Sequence, residues 1–98
     1  MKLYISGKIT GCEDYLIKFI NAEKYLHDMG YSVINPAKVN FMLPLDTTYD
    51  EYMRMSFTML DMAEGIYLLK DWQDSNGARL EKERAENIGL PVYYEGEI

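Results

Sequence analysis

Glu81 is the residue whose type and position first suggest chemistry, because it lies on the apolar side of a predicted helix. In steps of three and four residues, its neighbours on that side are small or apolar: Ala78, Ala85 and Ile88. Such a stripe is where a helix packs against a sheet. Because burying an unpaired carboxylate costs several kcal/mol, Glu81 must be paired, be neutral or face a solvated pocket.

The segment just before this helix, residues 75–77, supplies groups that bind hydroxyl-rich or phosphorylated ligands. It offers a serine hydroxyl and exposed backbone N–H groups at a helix N-terminus. A carboxylate beside such a segment is suited to attack a sugar carbon as a nucleophile. The alternative is structural, with Glu81 turned out to water or only favouring the positive end of the helix dipole.

The single cysteine and the single histidine are not placed to form a catalytic site together. Cys12 has no histidine near it and is expected to be passive, and His27 is expected on a helix surface. The sequence contains no His/Cys/Asp cluster with metal-ligand spacing, no GxGxxG motif and no P-loop. We therefore predict that the protein uses no metal and no other cofactor.

The hydrophobic pattern predicts four strands that alternate with three helices. The strands are short apolar runs bounded by glycine, proline or polar residues, at 3–5, 31–34, 65–69 and 91–94. The helices have apolar residues at three- and four-residue spacings, over 13–29, about 49–63 and about 78–88. Residues 37–48 are predicted to be the longest irregular stretch, and residues 70–77 a polar loop.

Strands alternating with helices are typical of an α/β fold with a parallel sheet. We predict one domain over residues 1–98, a small three-layer, doubly wound, flavodoxin- or Rossmann-like sheet of about four strands in the order 2-1-3-4. In such a sheet the ligand lies beyond the carboxyl ends of the strands, at the switch point between strands 1 and 3. Residues 7–12, the chain after Asn35 and residues 70–77 should therefore surround one crevice.

The composition excludes several classes of protein. With 10 basic and 16 acidic residues, the net charge of −6 argues against a nucleic-acid partner. The 48% hydrophobic content is typical of a globular domain. A single cysteine excludes an internal disulfide, and the apolar runs are too short to predict a membrane span. Residues 1–7 lack a signal-peptide core, so we expect a cytoplasmic location.

Four motifs in order along the chain carry a resemblance to a known family. They are YISGKITG at 4–11, F-x-x-A-x-x-x-L-x-x-x-G at 19–30, V-x-N-P-A at 33–37 and I-Y-L-L-x-x-W-x-x-S-x-G-A-x-x-E-x-x-x-A at 66–85. With these motifs the chain resembles nucleoside 2-deoxyribosyltransferase-like proteins, and most closely the short branch of that superfamily called DUF4406. The resemblance extends from residue 3 to about residue 94.

The resemblance implies chemistry at the N-glycosidic bond of a nucleoside or nucleoside monophosphate. Glu81 matches the glutamate that attacks the anomeric carbon and releases the base, before a second base (transferase) or water (hydrolase) resolves the glycosyl ester. By the same resemblance, Tyr4 and Gly7 line the floor, Trp72 covers the base or the mouth of the crevice, and Ser75 and Gly77 hold the 5′ end of the sugar or its phosphate. The other predicted substrate-binding residues are Asn35 after the second strand, Ser56 on the middle helix and Lys8. Lys8 replaces the family's usual proline and puts a cation near the mouth, where it is expected to attract a phosphate. Relatives commonly assemble as dimers or larger oligomers, so we expect a homo-oligomer. The resemblance also implies that the protein is encoded by a bacterium or a phage.

The chain departs from the family's pattern on the middle helix. Relatives usually carry an aspartate there that orients the nucleophile and handles the leaving base, and this sequence has Ser56. Losing such acid–base help typically costs ~10²–10⁴-fold in rate. Two hypotheses therefore stay open beside an enzyme. One is a binding protein that captures a nucleotide-derived metabolite or signal without turnover. The other is a structural subunit with a tyrosine- and methionine-rich interface and a blocked crevice.

Overall fold

The four apolar segments pair as one parallel sheet in the computed structural model, which describes residues 1–98. The strands are β1 (Lys2–Ser6), β2 (Ser32–Ile34), β3 (Gly65–Leu68) and β4 (Val92–Tyr94). They lie in the order β2-β1-β3-β4, and every neighbouring pair is parallel. The predicted strand order is confirmed.

Four α-helices and one 3₁₀ turn connect the strands. They are α1 (Tyr15–Asp28), α2 (Pro36–Phe41), α3 (Tyr49–Asp61), the 3₁₀ turn (Trp72–Asp74) and α4 (Asn76–Asn87). The three long helices and the four strands lie where the hydrophobic pattern predicts them, with ends that differ by at most two residues. No helix has both the length and the apolar character needed to cross a bilayer.

The prediction that residues 37–48 are irregular throughout is wrong, because α2 forms in their first half. The Asn35 side chain accepts a hydrogen bond from the Ala37 backbone N–H at 3.0 Å and so caps this helix. Pro36 lies in the first turn of α2. A backbone N–H at this position would have no intrahelical partner, so proline costs the helix no hydrogen bond, and its fixed φ suits the helix. The Asn-Pro pair that ends β2 therefore also begins α2.

The sheet separates two apolar cores, because neighbouring residues of a strand point to opposite faces. On one face Ile5 packs with Phe19 of α1, and both side chains are fully buried. On the other face Tyr4 packs in a cluster with Leu60 of α3 and Ala85 of α4. Since α1 covers one face and α3 and α4 cover the other, the fold has the three layers that the sequence predicts.

The register of the strands brings three connections to one edge of the sheet. Ser6, the last residue of β1, pairs with Leu68, the last residue of β3. The chain leaving β1 forms a loop, the chain leaving β2 enters α2, and the chain leaving β3 passes through the 3₁₀ turn into α4. These connections surround the edge at which the strand order switches, the usual position of a ligand in such folds.

Gly65 begins β3 at a position where the backbone leaves no room for a side chain. A Cβ there would lie 2.8 Å from Cδ2 of Leu3 and 3.2 Å from Cε2 of Tyr93. We expect Gly65→Ala to lower the free energy of unfolding by about 1–3 kcal/mol, because the fully buried Leu3 must shift. Chemical denaturation measures this loss. The control is Gly77→Ala, whose Cβ would have its nearest contact 3.4 Å away, at Sδ of Met53. It should not destabilise the protein, and an equal loss in both variants would contradict the prediction.

Candidate active site

A cavity of about 530 Å³ opens at the carboxyl edge of the sheet, between α3 and α4. Its wall is built by the loop after β1, one residue of α2, the first two turns of α3 and the start of α4. A second depression, of about 570 Å³, lies between the loop before α3 and the outer side of that helix. Its lining residues are mostly exposed and include no buried ionisable group. The first cavity is therefore the candidate site.

Glu81 lies in the wall of this cavity with only 6% of its surface exposed. Its Oε2 accepts a hydrogen bond from the Tyr4 hydroxyl and its Oε1 accepts one from the Ser6 hydroxyl, both at 2.6 Å. The two donors lie on the same face of the sheet because they are two residues apart in β1. No lysine, arginine or histidine forms an ion pair with Glu81. The alternative in which this side chain turns out to water is wrong.

The N-terminus of α4 determines where Glu81 lies. The Ser75 hydroxyl accepts a hydrogen bond from the Ala78 backbone N–H at 3.0 Å, so the helix begins directly after Ser75. With that start, Glu81 lies on the same buried stripe as Ala78 and Ala85. The two alanines are 1% and 0% exposed, and their small side chains let α4 approach β1 closely enough for the hydroxyls to reach the carboxylate.

Burial and hydrogen bonding have opposite effects on the charge of Glu81. Burial raises the pKa of its carboxyl group above the ordinary value of 4.5, while the hydrogen bonds from Ser6 and Tyr4 and the nearby Ser56 hydroxyl lower it and offset only part of the increase. The pKa of Tyr4 is raised well above 10.0, first by burial and then by the charge of Glu81. Tyr4 therefore keeps its proton at neutral pH and acts as a hydrogen-bond donor.

The loop after β1 is held in place by close packing and by an ion pair. A Cβ on Gly7 would lie 2.8 Å from Cδ1 of Leu69, so only glycine fits there without displacing that side chain. The next residue, Lys8, donates its backbone N–H to Oδ1 of Asp71 at 3.1 Å, and Asp71 also pairs with Lys18 of α1. The loop that forms one wall of the cavity is thus fixed to α1 and to the chain after β3.

The structure brings five of the predicted site residues together in the cavity wall: Gly7, Ser56, Ser75, Gly77 and Glu81. Tyr4 is fully buried beneath them and contacts the cavity only through Glu81. The positions of these six residues agree with a single site. Their roles in binding or catalysis stay predictions.

Three predicted site residues, Lys8, Asn35 and Trp72, do not line the cavity. The backbone of Lys8 is fixed by Asp71, and its side chain is not part of the wall. Asn35 has a structural task, since it caps α2 and donates to Oε1 of Glu23 at 3.0 Å. The Trp72 ring packs instead on the ring of Tyr94, with centroids 6.2 Å apart, so it does not cover the crevice.

Several wall residues were not identified from the sequence. Tyr49 and Met53 line the cavity with Ser56 because they precede it on α3 by seven and three residues, and this spacing was the available signal. Asn40 lies on α2, which the sequence did not predict, and its buried side-chain oxygen has no hydrogen-bond partner. Asp74 is the other carboxylate of the wall and directly precedes Ser75.

The remaining reactive side chains lie outside this cavity. Cys12 is free, and its Sγ lies 3.1 Å from Oδ1 of Asp14. His27 is exposed near the end of α1. No group of three or more His, Cys, Asp or Glu side chains is arranged to hold a metal ion. The polar side chains that line the cavity carry carboxylates, hydroxyls and amides.

The raised pKa of Glu81 predicts a pH-dependent stability difference. Because the native state holds this proton more tightly than the unfolded chain, ionising Glu81 above its ordinary pKa of 4.5 destabilises the native state. Glutamine mimics the neutral acid, so we expect Glu81→Gln to melt at a higher temperature than the wild type at pH 8. The difference should close as the pH falls towards 4.5.

Thermal unfolding of both proteins across this pH range measures the effect. About 1 kcal/mol moves the Tm of a domain of this size by roughly 4–8 °C, so a modest gain is detectable. The control is Glu83→Gln, which changes an exposed glutamate on the same helix and should give no such pH-dependent gain. If Glu81→Gln melts at a lower temperature than the wild type at every pH in this range, the prediction is contradicted.

Comparisons with known proteins agree with this architecture. Residues 1–94 match the family DUF4406, described as a domain of unknown function. No curated protein matches the chain. Among solved structures, a 2-deoxyribosyltransferase from the psychrotolerant bacterium Bacillus psychrosaccharolyticus aligns with a TM-score of 0.76 at 20% sequence identity, over 100% of this chain and 76% of that chain. The chain therefore belongs to the DUF4406 family and has a nucleoside 2-deoxyribosyltransferase-like fold.

Proposed function

We propose that the protein binds a nucleoside or nucleoside monophosphate and cleaves or transfers its N-glycosidic bond, with Glu81 as the nucleophile. The observation that carries this proposal is a buried carboxylate, held by hydroxyls and without a cation, in the wall of an open cavity. A buried structural carboxylate normally has a cationic partner. The fold shared with a protein described as a 2-deoxyribosyltransferase supports the same class of substrate.

The hydrogen bonds of Glu81 are compatible with a nucleophilic role. Each carboxylate oxygen accepts one hydrogen bond from β1 and keeps a lone pair for attack. In the first step a carboxylate oxygen bonds to the anomeric carbon while the C–N bond breaks, and the base leaves with the electron pair and takes up a proton. In the second step water or another base attacks the same carbon and frees the carboxylate. A negative charge beside the anomeric carbon stabilises the oxocarbenium-like transition states of both steps.

The cavity has the size and lining that a nucleoside needs. A volume of about 530 Å³ lies within the usual range of about 300–1,000 Å³ for small-molecule sites. Three tyrosines, Tyr15, Tyr49 and Tyr52, contribute to the wall and offer aromatic faces for a base. On the α4 side, Ser75 and Gly77 line the region proposed for the 5′ end of the sugar.

Ser56 favours a second candidate function, a binding protein without turnover. Its hydroxyl occupies the position from which relatives' aspartate assists the leaving base, and it is no substitute for a carboxylic acid. Asp61, the nearest carboxylate further along α3, pairs with Arg84 at 2.7 Å and does not line the cavity. Without general acid assistance the first step slows by roughly 10²–10⁴-fold. With such a slow step, a bound nucleoside dissociates intact more often than it loses its base.

The third hypothesis, a structural subunit with a blocked crevice, lacks support because the cavity is open. Self-association remains part of the proposal. The last residue of α2 and the segment that follows it expose large apolar side chains, with Phe41, Met42 and Leu45 at 66%, 84% and 103% exposure. Exposed apolar side chains grouped in this way are typical of an interaction surface, and a second copy of the chain would cover them.

Free-base release tests the enzyme directly. We expect the wild-type protein to release base from at least one of the four 2′-deoxynucleosides or their 5′-monophosphates, measured by liquid chromatography. Glu81→Ala should lower the rate by about 10³-fold or more, because it removes the nucleophile. Glu83→Ala, an exposed position on the same helix, should keep the wild-type rate. Release that persists in Glu81→Ala would contradict the mechanism. Calorimetric binding of a ligand that is recovered intact would instead favour the binding protein.

Tyr4→Phe removes the hydroxyl that donates to Oε2 of Glu81 and keeps the ring. Because a hydrogen bond to a charged group contributes about 1.5–3 kcal/mol, kcat should fall roughly 10–100-fold. The pKa of Glu81 should also rise further, so the acidic limb of the kcat–pH profile should move to higher pH. Tyr67→Phe is the control, because Tyr67 is equally buried but belongs to the core on the opposite face of the sheet. An unchanged profile in Tyr4→Phe would exclude the proposed role of its hydroxyl.

A further inference from the structure

The loop after β1, residues 7–12, forms one wall of the cavity but lies beyond the sheet. At this edge the pairing of β1 with β3 ends with the Leu69 backbone N–H, which donates to the Ser6 carbonyl at 2.8 Å. The loop residues that line the cavity are Gly7, Ile9 and Thr10. Because they follow the end of the strand, the position of this wall depends on contacts other than the hydrogen bonds of the sheet.

Two side chains, which we call the clamp, hold both backbone polar groups of one loop residue. Oδ1 of Asp71 accepts a hydrogen bond from the Lys8 backbone N–H at 3.1 Å, and Nζ of Lys18 donates one to the Lys8 carbonyl at 3.4 Å. Lys18 and Asp71 also form an ion pair with each other. Their side chains are 28% and 27% exposed, so water and salt screen this pair less than a fully exposed one.

The clamp connects the loop to two other elements around the cavity. Lys18 belongs to α1, and Asp71 lies between β3 and the 3₁₀ turn. The backbone carbonyl of Asp71 accepts a hydrogen bond from the Asp74 N–H at 3.0 Å, so Asp71 is itself fixed in the turn that leads into α4. Neither Lys18 nor Asp71 lines the cavity. The clamp thus fixes the loop relative to the start of α4 without contacting the cavity.

We propose that Lys18 and Asp71 are positioning residues, which keep the loop after β1 in the conformation that binds the ligand. This inference rests on the proposed function, because it concerns ligand binding in the same cavity. Without the clamp, only a fraction of the molecules holds the loop in this conformation, and the apparent Kd rises in inverse proportion to that fraction. Glu81 is held by residues of β1 and not by the loop, so the reaction rate of the bound complex should not change.

Ligand binding and turnover separate a positioning role from a merely structural one. In the Glu81→Gln background, calorimetry with the best-bound 2′-deoxynucleoside or 5′-monophosphate should show that Lys18→Met raises the Kd roughly three- to tenfold. In the otherwise wild-type protein, Lys18→Met should raise KM by a similar factor and leave kcat unchanged. Lys18→Arg keeps the charge and should restore most of the affinity. The matched control is Lys24→Met, which breaks the exposed Lys24–Asp28 pair on the same helix and should change neither constant.

Hydrogen exchange measures the mobility of the loop in the absence of any ligand. In Asp71→Ala the Lys8 backbone N–H loses its acceptor, so the backbone N–H groups of residues 8–12 should exchange roughly threefold faster or more. Lys18→Met should also speed this exchange, because it removes the ion pair and the contact with the Lys8 carbonyl. Lys24→Met should leave the exchange of the loop at the wild-type rate.

The failures of the two proposals differ. Exchange of the loop that is the same in Lys18→Met, Lys24→Met and the wild type would overturn the inference. A lower kcat with an unchanged KM in Lys18→Met would also overturn it. Base release by the wild type would in either case still support the proposed function. If a nucleoside binds and no base is released, a higher Kd in Lys18→Met would support the inference and leave a binding protein. Binding of neither nucleosides nor monophosphates would overturn both.

Discussion

The hydrogen bonds from Tyr4 and Ser6 to the carboxylate of Glu81 are the contact on which the rest of the site depends. They require β1 to be an inner strand, because only an inner strand lies under the switch point of the sheet. They also fix the register of β1. Its alternate residues, including Ile5, fill the core under α1, so a slip by one residue would remove both hydroxyls from the cavity and bury polar groups on the other face. Core packing and the position of the site are therefore specified by the same five-residue strand.

The way this carboxylate is stabilised has consequences for the whole cavity. A cation beside Glu81 would favour its ionised form more strongly. In the proposed reaction it would also occupy the space beside the carboxylate and neutralise the charge that stabilises an oxocarbenium-like centre. Hydroxyl donors instead hold the carboxylate in one orientation and leave its charge intact. The result is a buried group whose pKa is raised by burial. A buried carboxyl group with a raised pKa lowers the stability of a small domain above its ordinary pKa. A conflict between stability and activity is common at reactive sites.

The sequence predicted the sheet order, the long helices and the inward position of Glu81, because these depend on periodicity and on local signals. Ser75 is an N-cap and the Ala78–Glu81–Ala85 stripe follows from helical spacing, so the position of the carboxylate could be worked out without coordinates. The hydroxyl partners of Glu81 were not identified as a pair, since they lie more than seventy residues away and meet it only through the sheet register.

Two of the predicted site residues that do not line the cavity, Asn35 and Trp72, have partners elsewhere. Asn35 follows a strand at the correct edge, but its amide satisfies the first N–H of α2 and a glutamate of α1. Trp72 follows β3 at the same edge, and its ring turns instead to the apolar cluster under α4. Sequence motifs place such residues near the site. Only tertiary packing decides whether the side chain turns into the cavity or away from it.

The two carboxylates of the cavity wall, Asp74 and Glu81, differ in their exposure to water. Glu81 is buried and held by two short hydrogen bonds, so its oxygens are fixed beside any ligand atom that reaches the bottom of the cavity. Asp74 is exposed at the end of the 3₁₀ turn and lines the cavity from the solvent side. A fixed, partly dehydrated carboxylate is suited to the covalent chemistry proposed for Glu81, whereas an exposed carboxylate stays hydrated and its charge is screened by salt.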